Sequence, residues 1–173
     1  MSGIVVCGLN GSGKSTFANA LAKQLDWEFV DIEDCFFPKD DPEYLYSNPR
    51  SREEATAVLL QRVWEPKHFV LASVKADYGR EVEELLTLAV WLRADSQTRA
   101  KRVRRRSYDK FGFRMLPGGD LHQVEEDFFT FCAGREENEV ETWLSTLSCP
   151  TIQLDGTQPI QENLDLLVPK LTN

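Results

Sequence analysis

The chain has 173 residues, 42% of them hydrophobic and 28% charged, with 10 glycines and 8 prolines. These are the proportions of one globular domain and exclude collagen-like, low-complexity and largely disordered chains. The net charge of −8 argues against a general nucleic-acid or membrane binder, because either needs a basic face to neutralise phosphates.

No apolar run approaches the roughly 18 residues of a membrane span. The first basic residue, Lys14, follows Gly-rich rather than apolar sequence, so a secretory leader is not expected either. Cys7, Cys35, Cys132 and Cys149 are scattered and only His68 and His122 accompany them, so a cytoplasmic protein with reduced thiols and no zinc site is expected.

In chain order, Ile4 to Cys7 is a short β-branched run ending at Gly8, the pattern of a strand buried on both faces of a parallel sheet. Residues 8–15 then read Gly-Leu-Asn-Gly-Ser-Gly-Lys-Ser, which fits the phosphate-loop spacing between a strand end and a helix start. Glycines let backbone N–H groups close around phosphate oxygens, and the helix N-terminus adds the positive end of its dipole. Lys14 is placed to reach the β- and γ-phosphates of ATP, the Ser15 hydroxyl to sit on Mg²⁺, and Thr16 to assist at the α-phosphate. Gly8, Asn10, Gly11, Ser12, Gly13, Lys14, Ser15 and Thr16 are thus the expected ATP contacts.

Lys14 to Leu25 reads as a helix with Phe17, Ala18, Leu21, Ala22 and Leu25 on one stripe, and Trp27 to Ile32 as the next strand. Together they predict a right-handed crossover and a parallel sheet. The acidic cluster Asp31-Ile32-Glu33-Asp34 falls at that strand's carboxyl end, where open α/β sheets bind ligands. Asp31 or Asp34 could take the proton of an acceptor hydroxyl, while another carboxylate of the cluster orders Mg²⁺ waters; Ser15 and Asp31 are the candidate metal residues.

Phe36 to Arg52 contains three prolines and leads into a predicted helix from about Glu53 to Trp64, with Ala57, Leu60, Val63 and Trp64 inward. Residues 36–66 are therefore expected to form a substrate-covering insertion. His68 to Val74 and Leu88 to Leu92 read as strands, with Val82 to Leu86 on a helix between them. Six of the 20 basic residues then fall between Arg99 and Arg106. Arg102 and Arg106 share a helix face, while Arg104 lies roughly opposite. Residues 107–122, with Gly112, Gly118 and Gly119, read as a glycine-hinged lid carrying Arg114. An acidic helical region from Val124 to Leu147 and a fifth strand from Pro150 to Leu154 complete the alternation expected of a three-layer α/β sandwich.

The order of these parts resembles the nucleotide- and metabolite-kinase group of P-loop proteins, which holds adenylate, shikimate, gluconate and nucleoside kinases. That resemblance implies a single P-loop kinase domain over 1–173, with a five-stranded parallel sheet in the order 2-3-1-4-5. Asp155-Gly156-Thr157-Gln158-Pro159 resembles the stretch whose backbone contacts adenine in these kinases, which assigns Gly156, Thr157 and Gln158 to the nucleotide. Arg99, Arg102, Arg106 and Arg114 match the family's helix and lid arginines. Of these, Arg102 would meet the adenine, and Arg106 and Arg114 the transferring phosphoryl group. Residues 72–80, Ala-Ser-Val-Lys-Ala-Asp-Tyr-Gly-Arg, depart from adenylate kinase in lacking Gly-x-Pro-Arg and a plain aspartate at the strand end.

The resulting expectation is an ATP- and Mg²⁺-dependent kinase in which Lys14, Asp31, Asp34, Arg106 and Arg114 act on the reacting groups. Its acceptor would be a nucleoside, a nucleotide or another small hydroxylated metabolite. The competing class is an ATP-binding switch or ATPase without a small acceptor. A nucleic-acid end kinase is disfavoured by the −8 charge.

Overall fold

A computed structural model describes residues 2–171. Strand β1 (Ser2–Cys7) feeds the phosphate loop and helix α1 (Lys14–Leu25). Then come β2 (Glu28–Asp31), the short α2 (Ile32–Phe36), α3 (Arg52–Trp64), β3 (His68–Ala72), α4 (Arg80–Glu83) and β4 (Leu86–Arg93). Helix α5 (Ser96–Phe111) passes through a 3-10 turn (Gly112–Met115) to α6 (His122–Gly134), followed by α7 (Glu137–Leu144), β5 (Thr151–Asp155) and α8 (Ile160–Leu171). The five strands are all parallel in the order β2-β3-β1-β4-β5, as expected.

Strand alternation divides the apolar side chains between two layers. Ile4 and Val6 of β1, with Val70, Leu88 and Val90, pack on Phe17 and Leu21 of α1 and on Leu164 and Leu167 of α8. Val5 and Cys7, with Phe69, Leu71 and Trp91, pack instead on Leu59 and Val63 of α3 and on Val140 and Trp143 of α7. Both faces are covered, which is why the strands read as unbroken apolar runs. A third, smaller cluster of Val103, Met115, Phe129 and Cys132 holds α5, the 3-10 turn and α6 together.

Two expectations need correction. The inward row of α3 is Ala55, Leu59 and Val63, whereas Ala57 is exposed, Leu60 is only half-buried and Trp64 is 58% exposed. A capping box between Ser51 and Glu54 fixes the helix start, and the small Ala55 heads the row that lies on the sheet, turning the bulkier tryptophan outward. Leu86 belongs to β4 rather than to a helix, because it pairs with Gly3 of the central strand. Within residues 107–122, α5 runs on to Phe111, and a 3-10 turn and a tight bend deliver the chain to α6. A Cβ on Gly119 would lie 2.1 Å from the Arg114 carbonyl oxygen, so this glycine serves close packing of the bend. Among the described residues no helix is long and apolar enough to cross a membrane.

Candidate active site

The phosphate loop is shaped by contacts from α5 and from the loop after β5. Gly11 has a φ of +83°, and a Cβ there would lie 2.4 Å from the Arg99 carbonyl oxygen, so only glycine lets α5 seat on the loop. Gly13 caps α1 with no side-chain hydrogen bond, which leaves the first-turn N–H groups of α1 for an anion. The Ser12 hydroxyl is buried and has no hydrogen-bond partner among the described residues.

Arg102 ties the two loops together. Its Nη1 donates to the Gly156 carbonyl at 2.9 Å and reaches the Gly11 and Ser12 carbonyls at 3.4 Å. Gly156 is the other half of that clamp, since a Cβ on it would lie 2.4 Å from the Ser12 carbonyl oxygen. Gly156→Ala is therefore expected to cost about 1–3 kcal/mol of stability through the forced backbone shift and to weaken ATP-analogue binding about tenfold or more. Thermal denaturation and a fluorescent-analogue titration measure the two effects. Thr157 turns back on Asp155, its N–H donating to Oδ1 at 2.8 Å, and the Asn163 amide donates to the Asp155 carbonyl at 2.8 Å. Gln158 and Asn163 then form one end of a cleft of about 370 Å³ whose other end is Lys14, Ser15, Thr16 and Arg106.

A second cavity, of about 570 Å³, shares Lys14, Ser15 and Arg106 with the first. Asp31 lines it and also caps α2, its Oδ1 accepting from the Glu33 N–H at 3.0 Å. Burial pushes the Lys14 ammonium down to about 8; Asp31 opposes that shift and Arg106 adds to it. An ammonium so poorly solvated is poised for the anionic partner that the loop is built to receive.

The candidate residues divide accordingly. Gly11, Gly13, Lys14, Ser15, Thr16, Arg102, Arg106, Gly156 and Gln158 meet at the first cleft, and Asn10, Lys14, Ser15, Asp31 and Arg106 at the second cavity. Gly8 begins the loop behind them, and Thr157 is occupied with Asp155. Asp34 stands outside both spaces, exposed and paired with Lys39 at 2.5 Å. Arg114 is likewise not brought to the loop. It grips Asp120 at 2.6 Å and donates to the Glu43 carbonyl at 2.6 Å, tying residues 107–122 to residues 36–66. Arg99 is buried behind Gly11, with its Nε on the Ala94 carbonyl.

Sequence reasoning missed four residues on the second cavity. Arg135, between α6 and α7, donates to the Asn10 Oδ1 at 3.3 Å and pairs with Glu139 at 3.4 Å. Its only trace in the sequence is the Gly134-Arg135 break in an acidic helical stretch. Tyr44 and Tyr46 come from the insertion and Glu125 from α6; the Tyr44 hydroxyl donates to Glu125 at 2.9 Å and the Tyr46 hydroxyl to Glu33 at 3.1 Å. Burial and that bond to Glu125 push the Tyr44 phenol up.

The profile of the AAA domain family matches residues 4–114. Over 178 aligned residues the chain is 22% identical to uncharacterized protein YqaC of Bacillus subtilis (strain 168), spanning 98% of this chain and 97% of that protein. Among solved structures, the deoxyadenosine kinase of M. mycoides with bound dATP superposes with a TM-score of 0.60 at 15% identity, over 98% of this chain and 99% of that one. The shikimate kinase of Acinetobacter baumannii gives 0.57 at 17%, over 99% and 95%. A gluconokinase of Sinorhizobium meliloti 1021 gives 0.54 at 20%, also over 99% and 95%. Since the matched profile runs from β1 to the 3-10 turn beyond α5, the chain belongs to the AAA domain family, and its fold is that of the P-loop kinases.

Proposed function

We propose that this protein is an ATP- and Mg²⁺-dependent kinase that transfers the γ-phosphoryl group of ATP to a hydroxyl of a small acceptor. The supporting observation is the meeting of two cavities at Lys14, Ser15 and Arg106, one running to the Gly156 loop and the other to Asp31. A triphosphate in the first would present its terminal phosphorus at the mouth of the second. The unit is one kinase domain with an acceptor-covering insertion at 36–66 and a lid at 107–122, acting in the cytoplasm.

Transfer forms a bond between the acceptor oxygen and the γ-phosphorus and breaks the bond from that phosphorus to the β–γ bridging oxygen, so ADP departs with the electron pair. Asp31 takes the hydroxyl proton. Lys14 and Arg106 hold the equatorial oxygens, where charge is spread in a loose transition state. Among the described residues no cluster of three or more His, Cys, Asp or Glu could cage a metal. Ser15 and, through water, Asp31 would hold a Mg²⁺ ion beside the phosphates. Such an ion supplies further neutralisation of the phosphates.

The test is ADP formation by the purified chain with Mg²⁺-ATP and a panel of nucleosides, nucleoside monophosphates, gluconate and shikimate. One acceptor is expected to raise turnover about tenfold or more over the basal rate, the increase a specific acceptor brings by completing the site. Hydrolysis indifferent to every acceptor would assign the protein to the ATPase or switch class instead.

A further inference from the structure

The walls of the second cavity differ in character from one end to the other. Around Lys14, Asp31 and Arg106 they are polar, whereas Phe37, Tyr44, Tyr46 and Phe111 make an aromatic wall, with Phe37 and Tyr46 5.1 Å apart, Tyr44 and Tyr46 5.6 Å apart and Tyr44 and Phe111 5.3 Å apart. Large apolar rings of this kind favour a flat ring in the ligand over a polyol.

The charges on the acceptor side are already committed to one another. Lys110 lies 3.9 Å from Glu33 and over the Tyr46 ring. Arg52 and Lys75 both lean on Asp77, at 3.5 and 3.4 Å. Arg135, the fourth cation on this side, is held by Glu139 at 3.4 Å, so each already has a carboxylate partner. A carboxylate or phosphate on the acceptor would have to draw a cation from such a pair and strand its partner, at a desolvation cost. A neutral acceptor incurs no such cost.

Glu125 is the exception. It is 2% exposed, yet lines the cavity, and among the described residues no lysine or arginine pairs with it; Tyr44 is its one side-chain donor. A buried carboxylate with a single neutral donor has lone pairs left for donors on a ligand.

Resting on the kinase reading above, we propose that the acceptor is an uncharged nucleoside, its base against the aromatic wall and an N–H of that base donated to Glu125. A nucleoside combines the three demands: a flat ring, a ring donor and a hydroxylated arm extending to Asp31. Glu125 and Tyr44 are then specificity determinants, and transfer yields the nucleoside monophosphate with the proton and ADP accounted for as above.

The experiment is calorimetric titration of the full chain, loaded with Mg²⁺ and a non-hydrolysable ATP analogue. The ligands are adenosine, cytidine, guanosine and uridine, their 5′-monophosphates, gluconate and shikimate. Each nucleoside is tested beside the analogue lacking its base donor, as purine riboside stands to adenosine and 3-methyluridine to uridine. The best nucleoside is expected to bind about tenfold or more tighter than its donor-less analogue, the worth of a hydrogen bond to a buried charge. It should also bind more tightly than its own monophosphate and both acids. In Glu125→Gln the gap between nucleoside and analogue should shrink to about threefold or less. Tightest binding by a monophosphate or an acid overturns the inference, as does the absence of nucleoside binding or a gap that persists in Glu125→Gln. The comparisons on the unmodified chain decide the question even if that variant folds poorly. Transfer to gluconate in the ADP assay would leave the kinase reading standing and sink only the nucleoside, as would a nucleoside that binds without raising ADP formation; ADP formation unmoved by every acceptor would sink both.

Discussion

Lys14→Met is expected to lower turnover about a thousandfold or more, because the variant loses the cation proposed to meet the β- and γ-phosphates as charge shifts toward the leaving group. The same change should make the ligand-free protein more stable. An exposed lysine titrates near 10.5, and burial holds Lys14 at about 8. Below about 8 both folded and unfolded chains carry the proton, and the folded chain bears the full cost of a poorly solvated ammonium. From about 8 to 10.5 the unfolded chain binds a proton that the folded chain has lost, so stability rises with pH across that window. Lys14 keeps some contact with solvent, so the gain from methionine at pH 7 should be about 1–2 kcal/mol rather than the whole shift. Calorimetry without nucleotide measures it: the variant should melt higher at pH 7, and the advantage should fade toward pH 10.5. A variant that melts lower at pH 7 would contradict the buried-ammonium account. In the unmodified enzyme, kcat/KM for ATP should decline as the pH passes about 8, where free Lys14 gives up its proton.

Asp31→Asn tests the other side of the transfer. Asparagine caps helices as well as aspartate does, so α2 should survive. What is lost is the carboxylate proposed to accept the hydroxyl proton, and kcat should fall about 10²- to 10³-fold, while the dissociation constant for an ATP analogue changes by about threefold or less. Stopped-flow turnover and analogue titration separate the two effects. Asp34→Asn is the comparison. If it cuts kcat as deeply as Asp31→Asn does, the proton passes to the exposed carboxylate beside Lys39 and the assignment of Asp31 as base fails.

What could be read from the sequence was whatever local spacing determines. The Gly8-to-Ser15 loop sits between a strand and a helix by sequence alone, and β1, β3 and β4 are legible because sheet burial on both faces demands continuous apolar runs. The phase of α3 was misjudged because Trp64 and Val63 are both apolar, and only the packing of Ala55 on the sheet decides between their rows. The acidic cluster was legible as a group, but which carboxylate faces the cavity depends on α2 beginning immediately after Asp31. Arg135, Tyr44 and Glu125 carry no local mark. They reach the cavity because α6 folds back over the insertion, a juxtaposition of segments about 80 to 90 residues apart in sequence.

Helix α5 joins features so far described apart. Near its start, the Arg99 backbone rests against Gly11; one turn on, Arg102 holds the phosphate and Gly156 loops; a further turn brings Arg106; and the same helix ends in the lid at Phe111. At 1.5 Å per residue, Arg106 stands about 10 Å and Phe111 about 18 Å from that contact. Hydrogen exchange over Ser107 to His122 should therefore slow when Mg²⁺ and an ATP analogue bind without acceptor, and unchanged exchange would show that the helix does not transmit the event. With Gly11 as fulcrum, a tilt of about 10° would swing the lid by roughly 3 Å and Arg106 by roughly 2 Å. In that case, covering the nucleotide and delivering Arg106 would be one movement of a single helix.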